Sequence, residues 1–542
     1  MVKIASRAGS GERAHWLAII AILTAGLVWR LLHVNAGLPS LWDPDEPLFV
    51  VKSLEMLKNG SFRIGWYGHP GSTTIYVLAL TDIIVFVSGS ALGFWQGTAG
   101  FAAAIYANPG LLMLPCRLVM VATGIWCIWL TYLIGKRIGD RSTALLAALL
   151  LAIDPVHIQW SQVVRTDIQA SAFMLAASLF AIDVLESGRA RNIVLAGLMA
   201  GLACVTKWPA ALSIAAPLVA IGMRFGPSPA VIRPIAILGL AALGGIFIGS
   251  PFLLFDLPAV FASAVAEVQP RHLGANGDGF FGNLSWYITG PLLRGLGPVG
   301  LVGAMVGCAL AWRNRAARAV VLPPAGLFLF AICAQSLIWE RWVIPLLPFA
   351  SIVAAMAIRT QLAAIARSRR WVAAACIALV IVPPSITVAL ESSARAHPTR
   401  TLASQWVIAN VPRGKTVLVE SIAMDLVAAG YHLRYPVGRL GCVDAEQLLA
   451  GRVDFSAVSR VQGKREKIAL GTIDPGKIES CWADYAIFND YDRFARERVQ
   501  YPVEFGIYQS FVRRGSLKAV FKPAPGKAEG PVVHVLRLTR PR

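Results

Sequence analysis

The chain has 542 residues, of which 56% are hydrophobic and 15% are charged, whereas a soluble globular protein carries about 25% charged residues. Apolar runs of about 18 residues recur, and each is long enough to cross a hydrocarbon core of about 30 Å. The net charge of +20 does not indicate nucleic-acid binding, because no basic module with stacking aromatic residues is visible. Residues 391–542 account for +8 of it, and the remaining +12 lies largely in short connections between apolar runs, which predicts a polytopic membrane protein with anionic lipid as a partner surface.

The first predicted element is the apolar run HWLAIIAILTAGLVWRLLHV, residues 15–34. Its apolar part is too long for a signal peptide, so we expect a retained membrane helix. The segment before it is basic, with Lys3, Arg7 and Arg13, and this predicts that the N-terminus lies inside.

The first outer loop, residues 34–115, then opens with LWDPDEPLFV, residues 41–50. Three carboxylates crowd together here, on Asp43, Asp45 and Glu46. Adjacent carboxylates repel each other, and at a membrane interface their pKa values would be perturbed, which favours a catalytic role over helix capping. Residues 72–95 of this loop are apolar, and we expect either an interfacial helix or one arm of a hairpin completed by residues 97–115.

Along the rest of the apolar part, connections rich in Arg or Lys alternate with connections that are less basic. This alternation predicts ten further spans. They lie near residues 116–135, 142–156, 168–185, 192–206, 208–224, 234–254, 290–311, 319–338, 342–358 and 371–390. The total is eleven to thirteen transmembrane helices, depending on the first loop. Residues 1–390 are therefore the expected membrane domain.

Residues 391–542 have a different pattern, because their apolar runs shorten to the length of strands. TVLVES (416–421), YAIFND (485–490) and VVHVLRL (532–538) alternate with helix-like stretches such as 401–410 and 491–499. This predicts a soluble α/β domain on the same side as the acidic cluster, outside the membrane. Cys442 and Cys481 either pair in that domain, if it faces an oxidising compartment, or remain free thiols.

Cations, carboxylates and aromatic residues of five separate loops fall on the same predicted membrane face. A carboxylate there can take a proton from an acceptor hydroxyl, and cations can stabilise a developing phosphate charge. Each residue also has a structural interpretation, such as a helix cap, a local ion pair or a snorkelling side chain. The candidates for binding are His69, Arg165, Asp167, Lys207, Arg271, His272, Glu340 and Arg341, beside Asp45 and Glu46 as catalytic residues.

Four patterns in order resemble the GT-C-fold glycosyltransferases that use polyprenyl-phosphate sugars, particularly bacterial relatives of the protein O-mannosyltransferases and of the lipid A aminoarabinose transferase. They are DPDEPLFVVKSLEMLKNGSF with GWYGHPGST, then LLLAIDPVHIQWSQVVRTDIQASAFML, GLACVTKWP and RWVIPLLPFASIVAA. TLASQWVIANVPRGKTVLVES resembles the extracytoplasmic domain of several bacterial members. The chain departs from the family at Gly71-Ser72, after the His-Pro pair, and at Asp154, where a small or apolar residue is expected.

The resemblance implies a hexosyl- or pentosyltransferase in the bacterial inner membrane, with its site on the periplasmic face. Asp45 matches the catalytic position, and we expect it to act as general base in an inverting transfer from a polyprenyl-phosphate donor. Glu46 would orient Asp45 or the acceptor, and the cations Arg165, Lys207, Arg271 and Arg341 are candidates for holding the phosphate. We expect no cofactor, although the clustered carboxylates are able to hold a divalent ion.

Other functions remain open at this point. A transporter or flippase would place its polar groups near the midplane of repeated halves, and no repeat is visible. A binding or scaffold protein would not need the acidic cluster, and a glycan ligase would keep the fold and move a preassembled glycan. The sugar, and an acceptor that is lipid, glycan or protein, are left undetermined.

Overall fold

A computed structural model describes residues 2–267, 270–366, 369–421, 423–444 and 469–539. The helices before the sheet are α1 (Val2–Leu31), α2 (Glu46–Lys58), α3 (Ser72–Ala91), α4 (Gly97–Ala107), α5 (Gly110–Ile138), α6 (Arg141–Ala152), α7 (Pro155–Ser161), α8 (Thr166–Ser187), α9 (Ala190–Thr206), α10 (Ala215–Phe225), α11 (Ile232–Gly249), α12 (Leu257–Glu267), α13 (Gly279–Tyr287), α14 (Leu293–Arg313), α15 (Arg315–Val320), α16 (Leu322–Cys333), α17 (Leu347–Ala366), α18 (Arg370–Arg395) and α19 (Thr399–Asn410).

The described residues contain ten helices that are long and apolar enough to cross a membrane, or eleven when α6 and α7 are taken as one bent span. Two shorter apolar helices, α4 and α9, bring the number to thirteen at most. The predicted range of eleven to thirteen is therefore consistent with the fold. In the first loop, residues 72–91 form a helix of spanning length, and residues 97–107 form a short helix before α5.

The run expected as one helix at 142–156 is broken instead. It ends at Ala152, and α7 begins at Pro155 with a bend of 60° between the two axes. Proline cannot continue the hydrogen bonding of the preceding helix. Asp154 caps the new helix by accepting a hydrogen bond from the His157 backbone N–H at 2.9 Å, which explains an acidic residue before this proline.

Two ends of the helix bundle carry different polar residues. At the start of α5 and α8 lie Arg117 and Asp167, and this end also carries the acidic loop, so we call it the loop end. At the other end of the same helices, Arg137 forms ion pairs with Asp183 and Glu186. The apolar core between them is made by the buried faces of α5, α6, α8 and α17.

The last part of the chain folds into a six-stranded sheet with helices beside it. Its strands are β1 (Thr416–Val419), β2 (His432–Pro436), β3 (Cys442–Asp444), β4 (Tyr485–Phe488), β5 (Gly515–Phe521) and β6 (Val533–Leu538), in the order β3-β2-β1-β4-β6-β5. Strand β1 is parallel to both β2 and β4, while the outer pairs are antiparallel. The helices are α20 (Met424–Ala428), α21 (Tyr491–Arg496) and α22 (Pro502–Arg513). The predicted fold class, a polytopic helical protein with a C-terminal α/β domain, is confirmed.

The sheet domain lies against the loop end of the bundle. Trp42 packs on the apolar cluster of the domain and donates its indole N–H to Thr401 at 3.4 Å. Ser40 donates to Asp425 at 3.1 Å, and Asn276, in the loop after α12, donates to Glu497 at 2.9 Å. The domain therefore lies on the same side of the bundle as the acidic loop. Cys442 and Cys481, whose pairing the sequence left open, form a disulfide in it.

Candidate functional site

Asp45 is held between two arginines from distant parts of the chain. Arg165, just before α8, bridges Asp45 Oδ2 and both oxygens of Asp43, with distances of 2.6 and 2.9 Å to the latter. Arg341 Nη2 lies 3.7 Å from the same Oδ2 of Asp45. The Asp45 side chain is 36% exposed, whereas the two arginines are buried, so the carboxylate is fixed by the protein and open to solvent.

A buried ion pair of Lys207 with Asp167 lies beside this group. Lys207 follows α9 and Asp167 lies in the first turn of α8; both are almost completely buried, and the amine donates directly to the carboxylate. The Lys207 amine is also 6.0 Å from the centre of the Trp342 ring, next to Arg341. We call Asp43, Asp45, Arg165, Asp167, Lys207 and Arg341 the Asp45 cluster. Three carboxylates and three cations give it a net charge of zero.

The His-Pro loop brings His69 to the same cluster. Trp208 donates to the Tyr67 carbonyl at 3.2 Å and the Gly71 N–H donates to the Thr206 carbonyl at 3.3 Å, which fastens the loop beside Lys207. Burial, with the neighbouring cations of Lys207 and Arg341, lowers the pKa of His69 to about 3. His69 is therefore a neutral imidazole near neutral pH and can accept or donate a hydrogen bond.

Glycine at position 71 has a local structural reason. Its φ is +66°, a left-handed conformation that side chains rarely adopt. A Cβ at this position would also lie 3.0 Å from the ring of Phe49. The departure from the family at Gly71 thus lets the chain turn sharply from the His-Pro loop into α3.

Glu46 points away from Asp45. It is fully buried, and its carboxylate accepts two hydrogen bonds from Arg117, at 2.9 and 2.7 Å, and a third from the Val164 N–H at 2.9 Å. Arg117 also donates to the carbonyls of Val34 and Ala36. Glu46 therefore fastens the start of α2 to α5 and to the segment before Arg165, and its described hydrogen bonds do not include the Asp45 side chain.

The remaining predicted site residues lie outside the cluster. Glu340 accepts hydrogen bonds from Arg294 and from the Trp160 indole N–H. The His272 ring contacts Trp339 with centres 4.8 Å apart, and Trp339 in turn faces Arg341 at 4.5 Å. Arg271 is exposed. His272 is thus linked to Arg341 through Trp339, whereas the Glu340 side chain contacts Arg294 and Trp160 although Glu340 directly precedes Arg341. Arg271 is not brought to Asp45 by the described contacts.

Two functional neighbours were not among the predicted site residues. Arg117 lies one residue inside a predicted span, and a charged residue in such a run is a signal that could have identified it. Glu267, at the end of α12, lies 4.0 Å from His69. A Cβ at position 68 would come within 2.4 Å of its carboxylate, so glycine there is required for this approach; burial raises the pKa of Glu267.

The cluster contains both a fixed carboxylate and unused hydrogen-bond donors. Both cation contacts of Asp45 are made by Oδ2. The Arg165 Nε is buried without a partner, and Lys207 and Arg341 carry more N–H groups than their contacts use. Such donors suit an anionic group. Among the described residues, no three His, Cys, Asp or Glu side chains are arranged as metal ligands, and the expectation that no cofactor is needed stays a prediction.

Comparisons with known proteins give a family match and several structural matches. Residues 99–255 match the family described as dolichyl-phosphate-mannose-protein mannosyltransferase; this range includes Arg165, Asp167 and Lys207 but not Asp45. No curated protein sequence matches the chain significantly.

The solved structures with a similar fold include ArnT from Cupriavidus metallidurans. Its apo form has a TM-score of 0.51 at 14% identity, covering 98% of both chains. Its complex with undecaprenyl phosphate has a TM-score of 0.50 at 12% identity, covering 96% of this chain and 97% of that one.

The archaeal oligosaccharyltransferase AglB from Archaeoglobus fulgidus, in complex with an inhibitory peptide and a dolichol-phosphate, also matches. Its TM-score is 0.51 at 12% identity, and the match covers 97% of this chain and 74% of that one. These alignments include both the helix bundle and the sheet domain. The chain therefore has the GT-C fold of membrane glycosyltransferases, and the resemblance inferred from its four sequence patterns is confirmed.

Proposed function

We propose that the protein is an integral membrane glycosyltransferase that moves a sugar from a polyprenyl-phosphate donor to an acceptor hydroxyl. The observation that carries this proposal is the placement of Asp45 between Arg165 and Arg341, beside Lys207. A base and a set of phosphate-binding cations are needed together for this reaction, and here they come from four separate segments.

In the proposed reaction, Asp45 Oδ1 takes the proton of the acceptor hydroxyl. The acceptor oxygen attacks the anomeric carbon from the face opposite the phosphate, which inverts the configuration. The bond between the anomeric carbon and the phosphate oxygen breaks, and its electron pair leaves with polyprenyl phosphate. Arg341, Lys207 and the free Nε of Arg165 stabilise that charge. His69, neutral, and Glu267 line the neighbouring space and are suited to bind sugar hydroxyls.

We propose that the loop end faces the periplasm of a bacterial inner membrane. Two observations support this orientation. Basic connections crowd the opposite end, for example Lys136, Arg137 and Arg141, as expected for a cytoplasmic face. The disulfide of the sheet domain suits an oxidising compartment.

The experiment that tests the proposal uses the full chain in detergent micelles. Wild type should bind undecaprenyl phosphate, and it should release this lipid from undecaprenyl-phosphate sugars of a panel of hexoses and pentoses when a bacterial envelope extract supplies acceptors. The Asp45→Asn variant should remain folded and lose transfer by about 10²–10⁴-fold, the usual contribution of a general base.

Asp474→Asn is the matched control, because Asp474 is an exposed residue of the sheet domain. It should transfer at the wild-type rate. Full transfer by a folded Asp45→Asn protein would refute the base assignment. With the chain reconstituted into lipid vesicles, movement of the intact lipid-linked sugar across the bilayer, with no transfer, would support the transporter alternative. Transfer only of a preassembled glycan would identify a ligase.

A further inference from the structure

Helix α18 indicates where the bilayer surface lies at the loop end of the bundle. Residues 371–390 of this helix contain no charged side chain, and the stretch is bounded by Arg370 and Glu391. Trp371, at its start, is 89% exposed, as is typical of an aromatic residue at a membrane interface. Leu390, at its end, lies about 28 Å further along the helix at 1.5 Å per residue, which is close to the thickness of a hydrocarbon core. The bilayer surface at the loop end therefore falls near Leu390.

The loop between β5 and β6 is held at this level. We call its residues 522–530, with the sequence KPAPGKAEG, the hairpin loop. A Cβ at Gly526 would lie only 3.0 Å from the Leu390 side chain, which is itself exposed. The Gly526 carbonyl also accepts a hydrogen bond from the Ser393 hydroxyl at 2.9 Å. The turn of the hairpin loop therefore lies against the lipid-facing end of the span.

The hairpin loop presents positive charge at this position. Lys522 and Lys527 are both exposed. The one acidic residue of the loop, Glu529, forms an ion pair with Arg395 of α18 at 3.4 Å, and this contact also fastens the loop to the helix. The two lysines therefore have no acidic partner within the loop, and their charges lie beside the end of the membrane span.

We propose that the hairpin loop binds anionic phospholipids of the leaflet at the loop end, with Lys522 and Lys527 contacting the headgroup phosphates. A phosphate is the anion that a bilayer offers at this level, and an ammonium group binds it by charge-assisted hydrogen bonds. A zwitterionic headgroup also carries a cation that offsets its phosphate. The loop should therefore favour lipids of net negative charge, by about fivefold for each lysine.

The rest of the loop suits contact with a bilayer. Pro523 and Pro525 are exposed and have no polar side-chain group that would lose water on contact with lipid. The loop joins β5 to β6, and the sheet domain in turn contacts the acidic loop through Trp42. Lipid binding here should thus steady the β5–β6 hairpin at the membrane surface. The inference requires that α18 spans the membrane, and it does not depend on the transferase reaction.

The test uses the full chain in nanodiscs made either of phosphatidylcholine alone or of an equal mixture of phosphatidylcholine and phosphatidylglycerol. Limited acetylation with an uncharged reagent, followed by mass spectrometry, measures the reaction rate of each lysine. A bound phosphate shields an amine, so Lys522 and Lys527 should react at least about fivefold more slowly in the mixture. Lys415 is the control in the same sample, because it is exposed and lies in the loop after the far end of α19; its rate should be equal in both kinds of disc.

A pair of variants tests whether the two lysines cause the effect. In the lipid mixture, residues 515–538 of wild type should exchange their backbone amide hydrogens more slowly than in phosphatidylcholine alone. The Lys522→Gln/Lys527→Gln variant should lose this difference. It should keep the wild-type melting temperature in detergent, because both side chains are exposed. Lys415→Gln is the matched control and should retain the difference.

Three results would overturn the inference. They are equal acetylation of Lys522 and Lys527 in the two kinds of disc, equal slowing of Lys415, which would indicate a general effect of the charged surface, and an exchange difference that persists in the double variant. None of these measurements involves sugar transfer, so each of these results would leave the proposed function standing. Conversely, full transfer by Asp45→Asn would leave the lipid-binding loop in place.

Discussion

Arg117 and Glu46 form a buried ion pair that joins α5 to the first helix of the acidic loop, with hydrogen bonds of 2.9 and 2.7 Å. Removing one partner of such a pair leaves the other charge buried and unpaired, which costs about 3–5 kcal/mol. We therefore expect Glu46→Ala to lower the free energy of unfolding by about this amount. Thermal unfolding in detergent measures the effect. Glu55→Ala, which removes an exposed carboxylate of the same helix, should change stability little; equal melting curves for the two variants would contradict the structural role of Glu46.

Arg165 holds two carboxylates with one planar guanidinium, a geometry that lysine cannot reproduce. Arg165→Lys should keep the charge but release either Asp43 or Asp45. The loss of one charge-assisted hydrogen bond is worth about 1.5–3 kcal/mol, so we expect kcat to fall by about 10–100-fold. Steady-state kinetics with a polyprenyl-phosphate sugar measure this, with the exposed Arg498→Lys as control. An unchanged kcat would show that the orientation of Asp45 does not depend on the bridge.

Lys207 serves two roles in our proposal, as the partner of Asp167 and as a ligand for the donor phosphate. Lys207→Met should weaken undecaprenyl phosphate binding by about 10–100-fold and also destabilise the fold, because Asp167 loses its partner. The double variant Lys207→Met/Asp167→Asn removes both charges and should regain stability without regaining affinity. Calorimetric binding and thermal unfolding distinguish the two effects. If the double variant regained both its stability and its affinity for undecaprenyl phosphate, Lys207 would serve only to neutralise Asp167.

The depressed pKa of His69 predicts a pH-dependent stability. In the unfolded chain His69 takes up a proton as the pH falls through about 6.5, whereas in the folded chain it stays neutral down to about 3. Its contribution to stability is complete above pH 6.5 and is lost progressively as the pH falls toward 3. Between pH 7.5 and 5, the melting temperature of wild type should therefore fall more steeply than that of His69→Gln. His397→Gln, at an exposed position, should retain the wild-type slope, and a parallel slope for His69→Gln would be evidence against a neutral His69.

The disulfide closes a loop in the sheet domain, since Cys442 and Cys481 are 39 residues apart. Cross-linking a loop of this length restricts the unfolded chain by about 4 kcal/mol in the chain-entropy description. The Cys442→Ser/Cys481→Ser variant should lose stability by up to that amount. Unfolding followed by tryptophan fluorescence measures the change, with Cys308→Ser, which removes an exposed free thiol, as control. Equal stability of the two variants would show that the disulfide has no structural role.

Much of the fold could be predicted because each apolar run is recognisable by length alone, and because β1, β4 and β6 fall on three short apolar runs. The break before Pro155 was missed although proline was visible, since the apolar pattern continues through it. Strands β2, β3 and β5 were not predicted. The residues of β2, HLRYP at 432–436, lack the consecutive apolar residues by which β1, β4 and β6 were recognised.

By itself, the sequence determined which residues share one end of the molecule, because a charged residue beside a membrane span lies near one of the two membrane surfaces. Asp45, Arg165, Lys207 and Arg341 followed from that constraint. Only the tertiary structure decided the direction of each side chain: Asp45 and Glu46 are neighbours in the chain, yet one faces solvent between two arginines and the other is buried against Arg117. The physical reason is that the direction of a side chain at the start of a helix depends on which distant charges approach it, and those approaches exist only after the helices have packed.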